Sequence, residues 1–198
     1  MTTSNDPDAA TPWSPESILA ALADPSQGMR VKDQLRYEPS GDALVEALRR
    51  AATAHERRVL CDVLGDRHEK LAVAALVEQL DRDDVRSEAA DALAKIGDPA
   101  AGGALAGCFA RESDVGTRAM LAAALGAVGH RAAIPDLLRA LEDASASVRG
   151  SAAWSLAHLK AREAAEPLQA ALDREPPGYA RTRLEEAAAA LDPGEPEG

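Results

Sequence analysis

An internal repeat of about 32 residues runs through most of the chain, and it restricts the possible folds more than any other feature. At five places a branched apolar residue precedes a marker residue, and the markers are 32, 32, 31 and 32 residues apart. The five pairs are Leu64-Gly65, Ile96-Gly97, Val128-Gly129, Leu159-Lys160 and Leu191-Asp192. Repetition at a period of about 20–50 residues is typical of arrays in which each unit packs on its neighbours.

A series of arginines keeps the same period, with spacings of 32, 31 and 32 residues. This arginine ladder consists of Arg86, Arg118, Arg149 and Arg181. We expect each arginine to pair with acids of the turns, such as Asp83, Asp84 and Asp114, and so to tie one unit to the next. An anion-binding stripe is the alternative interpretation, but the acidity of the chain argues against a phosphate site.

Apolar residues within one unit recur at helical spacing. In the second unit one stripe covers 73–80 and another covers 89–96, on either side of the polar turn 81–84. Gly97 and Gly129 stand where a left-handed residue ends a helix at little steric cost. Each unit is therefore predicted to be two antiparallel helices, and the chain an all-α α-solenoid of about five helix pairs.

The predicted repeat domain spans 12–192 and has polar, proline-bearing tails at 1–11 and 193–198 that we expect to be disordered. Its repeats are predicted at 42–66, 70–98, 101–130, 133–161 and 165–192. A capping helix at about 15–23 precedes them, because Ser14 suits an N-cap and Pro15 a first helical residue. Since neither helix of a unit can bury its apolar stripe alone, the stacked units are expected to share one continuous core.

The first repeat departs from the others. When Gly65 is aligned with Gly97, Arg57-Arg58 falls where the next repeat places Ala89-Ala90. Two arginines at core positions indicate that this repeat is rotated or shifted in register. Between Gln27 and Tyr37 we predict a short helix that belongs to the same irregular region.

Two segments carry a resemblance to a known family. The sequences DDVRSEAADALAKIGDPAA at 83–101 and SVRGSAAWSLAHL at 147–159 resemble HEAT repeats, of the short variety found in phycobilisome-lyase-like proteins and artificial HEAT-like binding scaffolds. The segment GYAR at 178–181 is similar to the closing unit of such arrays. The resemblance implies a helical superhelix, but such arrays serve as adaptors, inhibitors, chaperones and occasional enzymes, so it does not select a function.

The charge balance narrows the class of partner. The net charge is −11, with four acids and no base in 1–27 and nine acids against four arginines in 162–198. Such a chain repels phosphate, so we expect no contact with nucleic acid or with a membrane surface. No basic, apolar leader and no run of 18 apolar residues occurs, and the expected location is the cytoplasm.

Metal and catalytic motifs are not found in the sequence. His55, His68, His130 and His158 lie far apart, and Cys61 and Cys108 are interpreted as core residues in a reducing compartment. Phosphate loops and nucleophile elbows are also missing from the sequence. We therefore predict no metal and no cofactor, while catalysis by residues dispersed along the stack stays open.

The candidate binding surface follows from the helical periodicity. In a repeat stack the second helices line the concave side, so residues between the buried positions of these helices are predicted to face a partner. They are Glu88, Asp91, Lys95, Met120, Ala123, Ser151, Trp154, His158, Arg183 and Glu186. Trp154 matters most, because tryptophan at a solvent-facing position is typical of binding hot spots. The alternative is that its ring fills a local gap.

The predicted function is a non-catalytic scaffold, in the role of an adaptor, chaperone or regulatory subunit. Its expected partner is another protein or a peptide, bound on the concave face, and the expected state is a monomer. The first alternative, implied by the family resemblance, is a lyase-type enzyme or enzyme subunit that acts on a cofactor-bearing protein. Recognition of DNA lesions is a third possibility, and Glu88, Asp91 and Glu186 argue against it.

Overall fold

A computed structural model describes residues 13–24 and 28–191 of the chain. Within these ranges all regular structure is helical: twelve α-helices and four 3₁₀ turns. The helices are α1 (Pro15–Leu22), α2 (Gly28–Leu35), α3 (Gly41–Arg50), α4 (Ala54–Asp66), α5 (Val73–Gln79), α6 (Arg86–Ile96), α7 (Gly102–Arg111), α8 (Val115–Ala127), α9 (Ile134–Ala140), α10 (Ala146–His158), α11 (Ala165–Arg174) and α12 (Tyr179–Leu191). The predicted α-solenoid of five pairs, α3–α4 to α11–α12, is confirmed. The tails 1–11 and 193–198 and the marker Asp192 lie outside the described residues.

Two layers form the stack. The successive second helices, α4, α6, α8, α10 and α12, run side by side with their backbones close, whereas the successive first helices keep farther apart. The core lies between the layers, and each first helix contributes at least one leucine of 0% exposure to it. These leucines are Leu44, Leu76, Leu105, Leu137 and Leu168. Because the second-helix layer is the tighter one, the stack curves towards that side.

Small residues allow this tight layer. A Cβ atom added to Gly126 of α8 would lie 2.7 Å from the Cα atom of Ser155 on α10. In the same place the Ser155 hydroxyl, which is fully buried, donates a hydrogen bond of 2.8 Å to the carbonyl of Ala122. A larger side chain at either position would push the two helices apart.

The register of the first repeat differs from the prediction. Left-handed backbone ends the second helices at His68, Gly97, Gly129 and Lys160, with φ between 51° and 71°. Gly65 is therefore not the terminal marker: it lies inside α4, where an added Cβ would be 2.7 Å from the Cα of Ala92. The repeat is shifted by three residues, so Leu60 and Cys61, not Arg57 and Arg58, take the core positions.

A pair of helices, not one, caps the N-terminal end of the stack. α1 begins at Pro15 after the N-cap Ser14, as predicted, and packs on α3. α2 packs on α4, so the cap continues both layers. Val31 and Leu35 of α2 are buried, and Lys32 pairs with Asp62 of α4.

The shift in register adds Arg57 to the arginine ladder, 29 residues before Arg86. Four of the five ladder guanidinium groups donate to a carbonyl oxygen six residues earlier in the chain. The bonds are Arg57 to Ala51 at 3.1 Å, Arg86 to Leu80 at 2.7 Å, Arg149 to Asp143 at 2.7 Å and Arg181 to Glu175 at 2.8 Å. These bonds fix each arginine at the turn of its own unit.

The ladder also joins neighbouring units. The ion pairs to the next turn are Arg57–Asp84, Arg86–Glu112, Arg118–Asp143 and Arg149–Glu175. Hydrogen bonds from Arg149 hold the pKa of Glu175 below its ordinary range. Asp114, expected to pair with the ladder, instead accepts a hydrogen bond from the amide of Thr117 and caps α8.

Candidate binding face

The ten residues proposed from the sequence are all at least partly exposed. His158 and Glu186 are exposed, and the other eight are half-buried. Seven of them line two clefts, which we call the charged cleft and the aromatic cleft. The remaining three contact these seven: Lys95 pairs with Asp91, His158 stacks on Trp154 and Glu186 bonds to Arg183. Together the two clefts form the second-helix face.

The charged cleft lies across α2, α4, α6 and α8 and has a volume of about 430 Å³. Its lining residues are Lys32, Arg58, Val59, Asp62, Ser87, Glu88, Asp91 and Met120. Ion pairs connect its walls, since Arg58 lies 3.3 Å from Glu88 and Lys32 contacts Asp62. Three carboxylates and two bases therefore line the cleft, and both bases are paired.

Lys95 is the centre of this network. Its Nζ atom lies 3.3 Å from Asp62, 2.8 Å from Asp66 and 2.9 Å from Asp91. The hydrogen bond from Lys95 is the main cause that lowers the pKa of Asp66, and Arg36 adds a second hydrogen bond. Partial burial opposes the charge of Lys95, but its bonds to Asp66 and Asp91 outweigh this and raise the pKa of the lysine. The charges of this half of the face are thus neutralised within the protein.

The aromatic cleft lies across α8, α10 and α12 and has a volume of about 190 Å³. Its lining residues are Ala123, Ser151, Trp154, Tyr179 and Arg183. Trp154 stacks on His158 with ring centroids 4.9 Å apart and an interplanar angle of 16°. Its half-buried ring is thus supported on one side by His158 and lines the cleft on the other.

Tyr179 and Arg183 form the far wall of the aromatic cleft. The guanidinium carbon of Arg183 lies 5.5 Å from the ring centroid of Tyr179, a cation–π contact. Hydrogen bonds with Tyr179 and then Glu186 raise the pKa of Arg183. Tyr179 fits here because its neighbour on α10 is a glycine: a Cβ at Gly150 would lie 2.7 Å from Cε1 of the tyrosine.

Sequence reasoning missed six of the thirteen residues that line the two clefts. Asp62 stands 29 residues before Asp91, so it belongs to the same row, but the shifted register of the first repeat hid it. Placing Arg57 in the arginine ladder would have found it. Tyr179 precedes the last ladder arginine by two residues and carried no signal in the sequence, because its place depends on Gly150 of another repeat.

Cys61 and Cys108 are buried, as expected of core residues. Burial raises the pKa of the Cys61 thiol to about 12. Over residues 13–24 and 28–191, three or more histidine, cysteine or acidic side chains nowhere come together as a metal would require. In the same ranges each helix is too short or too polar to cross a bilayer.

Comparison with solved structures supports the fold. The chain is similar to a chain of the complex of CpcE and CpcF of phycocyanin lyase from Nostoc sp. PCC7120, with a TM-score of 0.61 and 22% identity over 96% of this chain and 100% of that chain. Human deoxyhypusine hydroxylase in complex with glycerol matches with a TM-score of 0.41 and 20% identity, over 90% of this chain and 96% of that one. At 22% identity the likeness to the Nostoc chain concerns the fold alone, and the weaker second match carries no argument.

Comparison with sequences gives the family. No curated protein matches the chain. The family model for HEAT repeats matches residues 41–117 and 110–189, which together span most of the chain and all five helix pairs. The helix pairs of the structure and this match agree with the resemblance noted in the sequence. The chain belongs to the HEAT repeat family.

Proposed function

We propose that the protein is a non-catalytic scaffold that binds another protein or a peptide across the second-helix face. The observation that carries this proposal is Trp154, a half-exposed ring that His158 supports and that lines the aromatic cleft. Large aromatic side chains that are held in place and open to solvent are enriched at interaction hot spots. Tyr179, which is 55% exposed, adds a second ring to the same cleft.

The distribution of charge supports a protein or peptide over nucleic acid. Three carboxylates against two bases line the charged cleft, and Arg183 of the aromatic cleft is paired with Glu186. A nucleic-acid surface needs an excess of basic residues along its path. The ladder arginines do not supply this excess of basic residues, because their guanidinium groups bind carbonyls and acids of the turns.

The similar Nostoc structure is itself a complex of two subunits, CpcE and CpcF. The similar chain is thus one part of a complex of two proteins, which supports a protein partner here. A lyase-type role, on a cofactor-bearing protein, remains the second outcome of the experiment below. It would show as a bound chromophore on the captured partner.

Site-specific photocrosslinking tests the proposal. A photoreactive amino acid is placed at Ala123 in the aromatic cleft and, as a matched control, at the exposed Ala170 of α11 in the other layer. We expect a defined protein adduct in extracts of the native cells from position 123 and not from position 170. Trp154→Ala should weaken that adduct roughly 30-fold, the equivalent of about 2 kcal/mol at a hot spot. The same adducts from both positions, or no effect of Trp154→Ala, would contradict the proposal.

A further inference from the structure

The dimensions of the aromatic cleft limit what it can hold. Its volume of about 190 Å³ is well below the roughly 300–1,000 Å³ of sites for cofactors and drug-sized ligands. The walls are the rings of Trp154 and Tyr179, and Ala123 and Ser151 add only small side chains. The space and its lining therefore suit one apolar side chain.

Arg183 is the one charged residue among those that line this cleft. Its Nη1 atom donates to Glu186 at 3.0 Å, and both residues belong to the same helix. The side chains of Arg183 and Glu186 are 37% and 57% exposed. Such exposed pairs are weak, and a guanidinium has five N–H donors, so Arg183 can take a second acceptor. The ring of Tyr179 keeps the guanidinium beside the cleft.

Two further features favour a negative group at this place. Tyr179 is the first residue of the 13-residue helix α12, so this wall of the cleft begins at the helix end where the dipole is positive. The acids of the charged cleft lie on α4 and α6, at the other end of the second-helix face, and are paired there. The aromatic cleft thus combines an apolar space with a cation whose acidic partner within residues 13–24 and 28–191, Glu186, is exposed.

We propose that the aromatic cleft binds the C-terminal residue of a partner polypeptide, with an apolar side chain between Trp154 and Tyr179 and the terminal carboxylate on Arg183. A C-terminal residue carries its carboxylate next to its side chain, so both groups fit a cleft of this size. This inference rests on the proposed function in one respect, namely that the second-helix face is the binding face. Beyond the proposed function, it specifies the class of ligand, a polypeptide C-terminus.

Short peptides and the two indole N–H signals of the protein test the proposal by NMR. The probes are acetyl-Gly-Ser-Gly-Leu as free acid, the same peptide as C-terminal amide, and acetyl-Gly-Ser-Gly-Gly as free acid. Trp13, whose indole donates to Glu38 at the N-terminal end, is an internal control, and a Trp13→Phe variant assigns the signals. We expect the leucine acid to shift the Trp154 signal, at millimolar concentration, and to leave that of Trp13 unchanged.

The amide should bind about 3- to 10-fold more weakly than the acid, because a charged hydrogen bond at a partly exposed site is lost. The glycine peptide should bind more weakly still. Arg183→Gln should abolish the preference for the acid, whereas Arg162→Gln, which removes an exposed arginine from the turn before α11, should preserve it. Equal binding of acid and amide, or a preference that survives Arg183→Gln, would overturn the inference. Crosslinking from position 123 without any peptide effect would overturn this inference and leave the proposed function in place.

Discussion

The two halves of the second-helix face have the same backbone but different chemistry. On α4 and α6 the exposed row is charged, and Lys95 joins Asp62, Asp66 and Asp91 into one network. On α8 and α10 the row consists of Ala123 and Trp154, and the cleft there also includes Tyr179 and Arg183 of α12. The first half is closed by its own ion pairs, whereas the second leaves the rings of Trp154 and Tyr179 partly open to solvent.

This difference distinguishes residues that hold the units together from residues of the proposed binding face. The core and the arginine ladder continue through both halves, because these residues hold each unit on the next. The exposed row is free to change, since its residues contribute little to packing. The following predictions test this separation, from the largest expected effect to the smallest.

Core leucines should contribute equally to the free energy of unfolding in the two halves. Leu93 of α6 and Leu156 of α10 occupy the same position, seven residues after a ladder arginine, and both are fully buried. Leu93→Ala and Leu156→Ala should each lower the free energy of unfolding by about 2–5 kcal/mol, through lost burial and a cavity. Trp154→Ala should lower it by about 1 kcal/mol, because the ring is half-buried and loses mainly its stacking on His158.

Urea denaturation of the three variants provides the measurement. A loss for Trp154→Ala as large as that for Leu156→Ala would place the tryptophan in the core and remove the aromatic cleft from consideration. A much smaller loss for Leu93→Ala than for Leu156→Ala would break the equivalence of the two halves.

The ion pairs of the arginine ladder that have a buried acid should also contribute equally to stability. Arg149 bonds Glu175 through two nitrogens, at 2.6 and 2.7 Å, and the Glu175 side chain is 7% exposed. Arg149→Met leaves this carboxylate with its main partner removed and should cost about 2 kcal/mol of stability. Arg86→Met should have a similar effect, since Glu112 is equally buried. The loss of the Arg57–Asp84 ion pair in Arg57→Met should lower stability less, because the Asp84 side chain is 43% exposed.

The effect of Arg149→Met depends on pH with a definite sign. Arg149 holds the pKa of Glu175 below its ordinary value of 4.5. A lowered pKa in the folded state stabilises the protein above the unfolded pKa, and this contribution disappears as the pH falls through the folded pKa. The difference between wild type and Arg149→Met should therefore be largest near neutral pH and shrink as the pH falls towards and below 4.5. A difference that grows in acid would contradict the role of this pair.

The contrast between the two halves could be predicted only in part from the sequence. The period, the helix ends at Gly97 and Gly129 and the row through Asp91 and Trp154 followed from spacing and helical geometry. The end of α4 did not follow from these rules, because the residue with left-handed backbone there is His68 and not a glycine. A glycine three residues earlier supplied a false marker, and the extension of the charged row to α4 was lost with it.

Substitutions at Gly65 and Gly126 test whether the close packing of the second helices requires glycine at these positions. Each stands eight residues after a ladder arginine, and a Cβ there would lie 2.7 Å from a Cα of the next second helix. Gly65→Ala and Gly126→Ala should each lower stability by about 1–3 kcal/mol, because the helices must move apart. Gly103 of α7 has open space around it, so Gly103→Ala should raise stability by about 0.5–1 kcal/mol. Melting temperatures that move in the same direction for all three would refute this account of the close packing.

The smallest expected effect concerns the charged half alone. Lys95→Met removes the centre of the network while retaining most of the apolar stem, and Lys95, Asp62 and Asp66 are each 26–33% exposed. Partly exposed ion pairs contribute up to about 1 kcal/mol, and dissolved salt screens them. The difference in unfolding free energy between wild type and Lys95→Met should therefore be below about 1 kcal/mol at low salt and smaller at about 1 M NaCl. The matched change in the other half, Arg183→Met, should alter stability still less, because its pair with Glu186 is more exposed. If Lys95→Met instead destabilised the protein as strongly as Arg149→Met, at all salt concentrations, the charged half would be a structural element like the ladder rather than a closed surface.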